Sequence, residues 1–325
     1  MKKIILLLSS AFLISMNVSA QQGKPSVKVF SNFNYDMSAE EGEQAFKEFE
    51  IKRAYLGYSQ AIDEKFAAKV IFDIGSNSGG SSYTAFLKIA SLNWKANEKL
   101  NINVGMIGTK NFKFMEKTWG HRYIYKSLQD KHKWANSADI GVSVDYKLSN
   151  QLSFDAQVLN GEGYKNIQAK DNGLFRGSLG LTYSVSEDVI VRVHRDIVPR
   201  EEYTEDKDHQ NTTSAALAYS GDGFKLGAEY NIQENADNKT GKEKTGISAY
   251  GSYDLGDDMS LFGRYDELSS ENDWNLSKDG TFMIVGVQKQ MVKGLKVALN
   301  YQNWTAATED AEAENTLYLN LEYKF

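Results

Sequence analysis

The chain has no cysteine, only two prolines and, beyond its first twenty residues, no apolar run long enough to cross a bilayer as a helix. The first absence removes disulfides, thiol chemistry and a lipid-attachment cysteine. The second leaves backbone N–H groups free for sheet ladders nearly everywhere. The third excludes helical spans, which need about 20 consecutive apolar residues, but not a closed barrel of strands, whose signal is only alternation. Arginine is scarce: Arg53, Arg122, Arg176, Arg192, Arg195, Arg200 and Arg264 are all of it. The four histidines, His121, His132, His194 and His209, lack zinc-ligand spacing, and no G-x-S-x-G nucleophile elbow occurs. No metal, cofactor or enzymatic activity is therefore expected.

What is present favours strands and turns: 26 Gly, 18 Tyr and 16 Phe. At the N-terminus, Lys2 and Lys3 precede an apolar run from Ile4 to Met16 and the small residues Val18, Ser19 and Ala20, which reads as a cleaved export signal over residues 1–20. Residues 21–325 then form one domain. Loss of Lys2 and Lys3 leaves 35 basic against 43 acidic residues, a net of −8, so nucleic acid is not an expected partner.

From Pro25 onward the apolar period is two, as in Ile140/Val142/Val144/Tyr146, Leu179/Leu181/Tyr183 and Leu295/Val297/Leu299/Tyr301. Connections alternate in length. Short links fall near 61–64, 96–99, 149–150, 184–187, 221–223, 255–258 and 291–294. Long ones fall near 36–46, 75–82, 110–136, 162–172, 196–210, 234–243, 267–279 and 304–314. Seven short and eight long links join sixteen strands. Short periplasmic turns and long extracellular loops are the habit of an all-β, antiparallel transmembrane barrel, with apolar side chains toward lipid and polar ones inward. Tyr146, Tyr183, Tyr219 and Tyr253 each precede a short turn, as an interfacial aromatic girdle requires. Sixteen strands are too few for a plugged active transporter, which needs about 22.

Parity along each strand places Lys28, Lys69, Asp73, Asp139, Asp145, Asp155, Arg176, Arg192, His194, Glu229, Arg264 and Lys296 in the lumen. The segment Phe49–Tyr58, FEIKRAYLGY, starts with apolar residues at odd numbers and ends with them at even ones. A bulge near Lys52–Arg53 reconciles its halves and turns at least one cation inward. The longest interruption, Lys110–Asn136, is also the most basic: Lys110, Lys113, Lys117, Arg122, Lys126, Lys131 and Lys133 face only Glu116 and Asp130. Tyr123, Lys126 and Asp130 have the spacing of one helical face. We expect this third long loop to fold into the lumen, because Trp119, Tyr123, Tyr125 and Trp134 would be poorly hidden in a free loop. The alternative is a solvated loop whose charges meet lipopolysaccharide. Acidic tips at Asp206/Asp208 and Glu309/Asp310/Glu312/Glu314 read as solvated surface.

Two stretches carry a resemblance. Residues 315–325, apolar at alternate positions through the terminal Phe325, resemble the C-terminal signature of Gram-negative outer-membrane proteins. FEIKRAYLGY resembles the second-strand motif of the phosphate-selective porin O/P family in its Bacteroidota variety. The resemblance implies an outer-membrane, trimeric, sixteen-stranded porin whose third loop forms a constriction, passing small hydrophilic solutes and favouring anions such as phosphate. It marks Lys52 and Arg53 by motif and Lys110, Lys113, Lys117, His121, Arg122, Lys126, Lys131 and Lys133 by loop position. With the lumenal Arg176, Arg192 and Arg264, these are the expected pore residues. A general non-selective porin, an adhesin barrel or an outer-membrane enzyme are the alternatives, and sparse arginine and the acidic total weigh against assuming phosphate.

Overall fold

In a computed structural model, residues 23–40, 42–76, 83–166, 173–200 and 204–325 are described. The proposed export signal lies outside them. The chain forms sixteen strands: β1 (Lys24–Asp36), β2 (Lys47–Ala61), β3 (Phe66–Gly75), β4 (Thr84–Lys95), β5 (Leu100–Gly108), β6 (Ala138–Lys147), β7 (Leu152–Leu159) and β8 (Arg176–Ser184). The second half continues with β9 (Val189–Val198), β10 (Gln210–Gly221), β11 (Phe224–Glu234), β12 (Lys244–Gly256), β13 (Met259–Ser270), β14 (Gly280–Val292), β15 (Leu295–Ala306) and β16 (Glu314–Lys324). Each strand pairs antiparallel with its chain neighbours, and β1 closes the barrel on β16, with Phe33 opposite Leu319. All fifteen connections fall where the alternation of short and long links puts them.

The strands form because β-branched and aromatic residues alternate with polar ones. On β10, Ala215, Leu217 and Tyr219 point outward while Thr212, Ser214 and Ala216 are buried within. Closure leaves no edge strand to satisfy in lipid. The two-residue turn Asp222-Gly223 has φ of 52° and 79°, the double left-handed conformation whose twist matches that of a hairpin. Tyr183 and Tyr253 are exposed near the short turns, at the level predicted for a girdle.

The charges assigned to the lumen by parity do lie inside. Neutral side chains there bond across and along the strands: Asn300 on β15 donates to Asn320 on β16 at 2.7 Å, and Gln302 donates to Asn300 on its own strand at 2.9 Å. The predicted bulge is present: Phe30 pairs with Arg53 and Ser31 with Ile51, so Lys52 is the extra residue. Both Lys52 and Arg53 turn inward, with Ile51 and Leu56 exposed on the outer face on either side. A second bulge does the same on β4, where Ile71 and Phe72 pair with Ile89 and Leu87 and Lys88 is left over.

A cation on the outer face at mid-barrel exposes what this sorting is worth. Val285→Arg on β14 should cost about 2–4 kcal/mol in reversible urea unfolding from lipid vesicles. Lys69→Gln in the lumen should stay within about 0.5 kcal/mol of wild type.

Candidate pore constriction

The third long loop leaves β5 at Gly108 and returns at Ala138. Its two legs are tied together, Thr109 N–H to Ser137 O at 3.1 Å and Thr109 Oγ1 to Asn136 O at 3.0 Å. Helix α1 (Lys110–Trp119) begins where the Lys110 N–H finds Gln157 Oε1 at 2.7 Å on the barrel wall. Asn111, Phe112, Met115 and Trp119 occupy its buried face, and Lys113 and Lys117 the open one. Gly120, at φ 75°, ends it in the left-handed conformation with its N–H on Glu116 O at 3.0 Å. A single turn, α2 (Leu128–Lys131), follows. Tyr123 and Lys126 lie in the irregular stretch between the two helices and only Asp130 is helical, in α2, so the reading of Tyr123, Lys126 and Asp130 as one helical face is corrected.

Aromatic side chains hold the loop on the wall of β12–β15. Trp119 meets Tyr250 edge-on at 5.4 Å, Tyr125 stacks on Phe282 at 4.1 Å, and Tyr123 donates to Gln288 at 2.9 Å. Leu128 and Trp134 seat over Gly246, where a Cβ would stand only 2.8 Å from Leu128 Cδ2. The His121 ring stacks on Phe262 at 4.6 Å, and its Nδ1 lies 3.0 Å from Trp119 O. Burial pushes the His121 pKa down to about 4. Burial, then Lys131, takes His132 down to about 3.

Three expected pore arginines lie behind this loop. Arg264 is bound to Asp266 through Nε and Nη2, both at 2.7 Å, and donates from Nη1 to Lys126 O at 2.8 Å. Arg192 reaches Asp155 at 2.6 and 3.1 Å, and Arg176 reaches Asp196 at 2.7 Å. All three are buried and partnered, so they anchor the wall and the loop instead of lining open space. His121 is likewise packed on the wall, and Lys110 is tied to Asp145.

The loop's open edge carries Arg122, bonded to Glu116 at 2.8 Å and Asp130 at 3.2 Å, and Lys126, 3.3 Å from Asp130. Burial disfavours the Asp130 carboxylate, but Arg122 and Lys126 outweigh it and hold its pKa below the usual range. Opposite stands the β2–β4 wall, where Asp73 accepts Arg53 at 3.3 Å, faces Lys88 at 3.7 Å and accepts the Tyr164 hydroxyl. Lys165, from the loop after β7, lies over Phe86 at 5.1 Å, and burial, then Arg53, lowers its pKa to about 8. The two sides are close enough for Arg53 to act on Lys126 and Lys88 on Asp130. Lys88, Tyr164 and Lys165 escaped sequence reasoning. The shift from Leu87 to Ala90 as outward residues is the same parity break that marked Lys52, and it flags Lys88; Tyr164 and Lys165 carry no such signal.

On either side of this narrowing lies a cavity. The inner one, about 1250 Å³, reaches the short turns and is lined by Lys28, Lys69, Lys88, Lys113, Lys117, Arg122, Lys293, Lys296 and Lys324 against Glu116 and Glu322. The outer one, about 580 Å³, lies under the long loops and takes Lys52, Lys131, Lys133, Lys244 and Lys278 against Asp237 and Glu314.

Removing Arg264 tests the anchor. Arg264→Ala strands Asp266 in the interior and should cost about 3–5 kcal/mol of stability, with larger and noisier single-channel conductance as the loop loosens. The histidines give loop docking a pH dependence. A freed loop has histidine pKa near 6.5, the docked loop about 4 at His121, so the freed loop binds more protons between those values. Docking is strongest above 6.5 and weakens as pH falls toward 4. Single-channel records should show more gating events at pH 4 than at pH 7, and His121→Gln/His132→Gln should flatten the difference.

The profile of the Gram-negative porin family matches residues 178–325. No curated protein sequence matches the chain. Among solved structures, Pseudomonas putida OprB at high pH superposes with TM-score 0.72 at 8% identity, covering 94% of each chain. The anion-selective porin from Comamonas acidovorans gives TM-score 0.69 at 10% identity, over 94% of this chain and 99% of that one. In-vitro folded OmpT of Vibrio cholerae in its trimer form gives 0.63 at 12% identity, over 94% and 99%. The chain is a sixteen-stranded outer-membrane β-barrel with the porin fold.

Proposed function

We propose that this protein is an outer-membrane diffusion channel for small hydrophilic solutes that passes anions, phosphate among them, more readily than cations. The observation that carries the reading is the lining of the inner cavity, nine Lys and Arg side chains against two carboxylates, in a chain of net −6. Rings of cationic side chains bias passage toward anions. Lys113 and Lys117 project from α1 into that space, one turn apart on the open face. Lys52, Lys131 and Lys133 extend the same sign into the outer cavity. Assembly as a homotrimer belongs to the proposal, as in the trimer form of the Vibrio cholerae barrel. So does contact with lipopolysaccharide around the long loops.

One observation favours a weakly selective pore instead. At the narrowing itself Arg53, Lys88, Arg122 and Lys126 all have carboxylate partners in Asp73, Asp130 and Glu116, so the local charge is mixed. The cavities then set the bias while the narrowest zone does not.

In planar bilayers under a KCl gradient, the reversal potential should take the sign of chloride permeation. Lys69→Gln/Lys113→Gln/Lys117→Gln should move it toward zero, and rising salt should shrink the wild-type value because exposed charges are screened beyond about 10 Å at 0.1 M. Potassium selectivity would overturn the anion reading. A barrel that inserts but carries no current would overturn the channel.

A further inference from the structure

The outer cavity combines three chemistries, two of which a simple ion path does not call for. Aromatic faces are the first of them: three of the chain's five tryptophans, Trp134, Trp274 and Trp304, and two of its tyrosines, Tyr125 and Tyr318, stand in its wall. Trp274, Trp304 and Tyr318 are half-buried and keep part of their rings open to the space. The second is a set of ammonium groups resting on those rings. Lys52 lies 5.6 Å from the Tyr318 centroid, Lys131 5.0 Å from Tyr125 and Lys244 5.0 Å from Trp134. Among the described residues none of these three lysines makes an ion pair, so each has capacity for an incoming anion. The third is neutral hydrogen-bonding groups between them, Asn275, Ser277, Gln302 and Thr316.

We propose that this outer vestibule is a binding site for anionic sugars, a single sugar ring carrying a phosphate or carboxylate. The flat apolar face of a sugar ring suits an indole or phenol face, its hydroxyls suit amide and hydroxyl side chains, and its anionic group suits a lysine. A bare inorganic anion uses only the last of these and a neutral sugar only the first two, so the preferred ligand carries both. A volume of about 580 Å³ accommodates such a molecule. The position above the narrowing, under the long loops, makes the site the first surface a solute meets from outside. The inference rests on the channel reading for the direction of entry; the binding chemistry does not depend on it.

The test is calorimetry on the full-length barrel in detergent, with glucose 6-phosphate, glucuronate, inorganic phosphate and glucose as separate probes. Both anionic sugars should bind about tenfold more tightly than inorganic phosphate or glucose. Trp274→Ala should reduce glucose 6-phosphate to the level of inorganic phosphate and leave the latter unchanged. Trp304→Ala should do the same, and because Trp304 also packs against the loop-anchoring aromatic clusters, Trp274→Ala decides if the other variant fails to fold. Lys131→Gln should weaken glucose 6-phosphate and inorganic phosphate alike. Equal affinity of glucose 6-phosphate and inorganic phosphate in the wild type, or a preference that survives Trp274→Ala, overturns the proposal. Ion selectivity in bilayers is read separately, so a failed anion channel and a failed sugar site are distinguishable.

Discussion

Lipid offers no hydrogen-bond partner, and the rest of this structure follows from that constraint. Every backbone group in the span must be paired within the protein, which for strands means a closed ring with β1 on β16. Closure then turns the two-residue period of each strand into a partition of chemistry. Apolar side chains go to the bilayer, and charges that would be costly there collect on the inside, where they must pair, stay wet or cover one another. The barrel interior is therefore a polar core, held by amide ladders and by buried pairs such as Arg192–Asp155 and Arg176–Asp196.

The inserted loop divides that core in two. Its aromatic face dries one side of the lumen, and the pairs beneath it become structural because water no longer reaches them. Arg264 shows the consequence most clearly. It is fully enclosed with Asp266, touches the faces of Trp119 and Tyr125, and bonds the loop backbone at Lys126 O. A buried ion pair adds little net stability over apolar packing, but losing one partner is severe. The loop is thus held by an arrangement that tolerates no half-measures. On its other face Lys113 and Lys117 remain exposed to the space they border, and the half-buried Arg122 lines it beside them.

How much of this was legible in the sequence depends on which side of the loop a residue falls. The strand number and the turns follow from the alternation of link lengths and the inward set of charges from parity, both local properties. The Lys52 bulge was legible for the same reason, as a break in parity, and Lys88 was legible by that rule though it went unread. Parity cannot say whether a lumenal arginine is covered. Arg176, Arg192 and Arg264 have the same strand pattern as an open lining residue, and only the path of a loop distant in sequence hides them. The loop's inward fold was inferred from aromatics that needed cover, which the packing of Trp119, Tyr123, Tyr125 and Trp134 matches. The position of its helix was not, since Phe112, Met115 and Trp119 are too few residues to make a strong periodic signal.

Total charge is a poor guide to the field inside such a barrel. The acidic excess by itself weighs against anion preference, yet the carboxylates are not distributed like the lysines. Asp63, Glu64, Asp222, Asp257 and Asp258 sit exposed at the short turns, and Glu309, Asp310 and Glu312 at a long loop. At a Debye length of about 8 Å in physiological salt, charges at the rims are screened from a solute deep in the lumen, while the lining acts on it at contact range. The bulges in β2 and β4 sharpen this segregation. Each inserts one extra residue into a strand, and in each the residue is a lysine, Lys52 or Lys88, added to the inner face without displacing an apolar residue from the outer one. An acidic chain thereby encloses cationic cavities, because alternation decides where a charge points and a bulge adds a cation where alternation alone has no room for it.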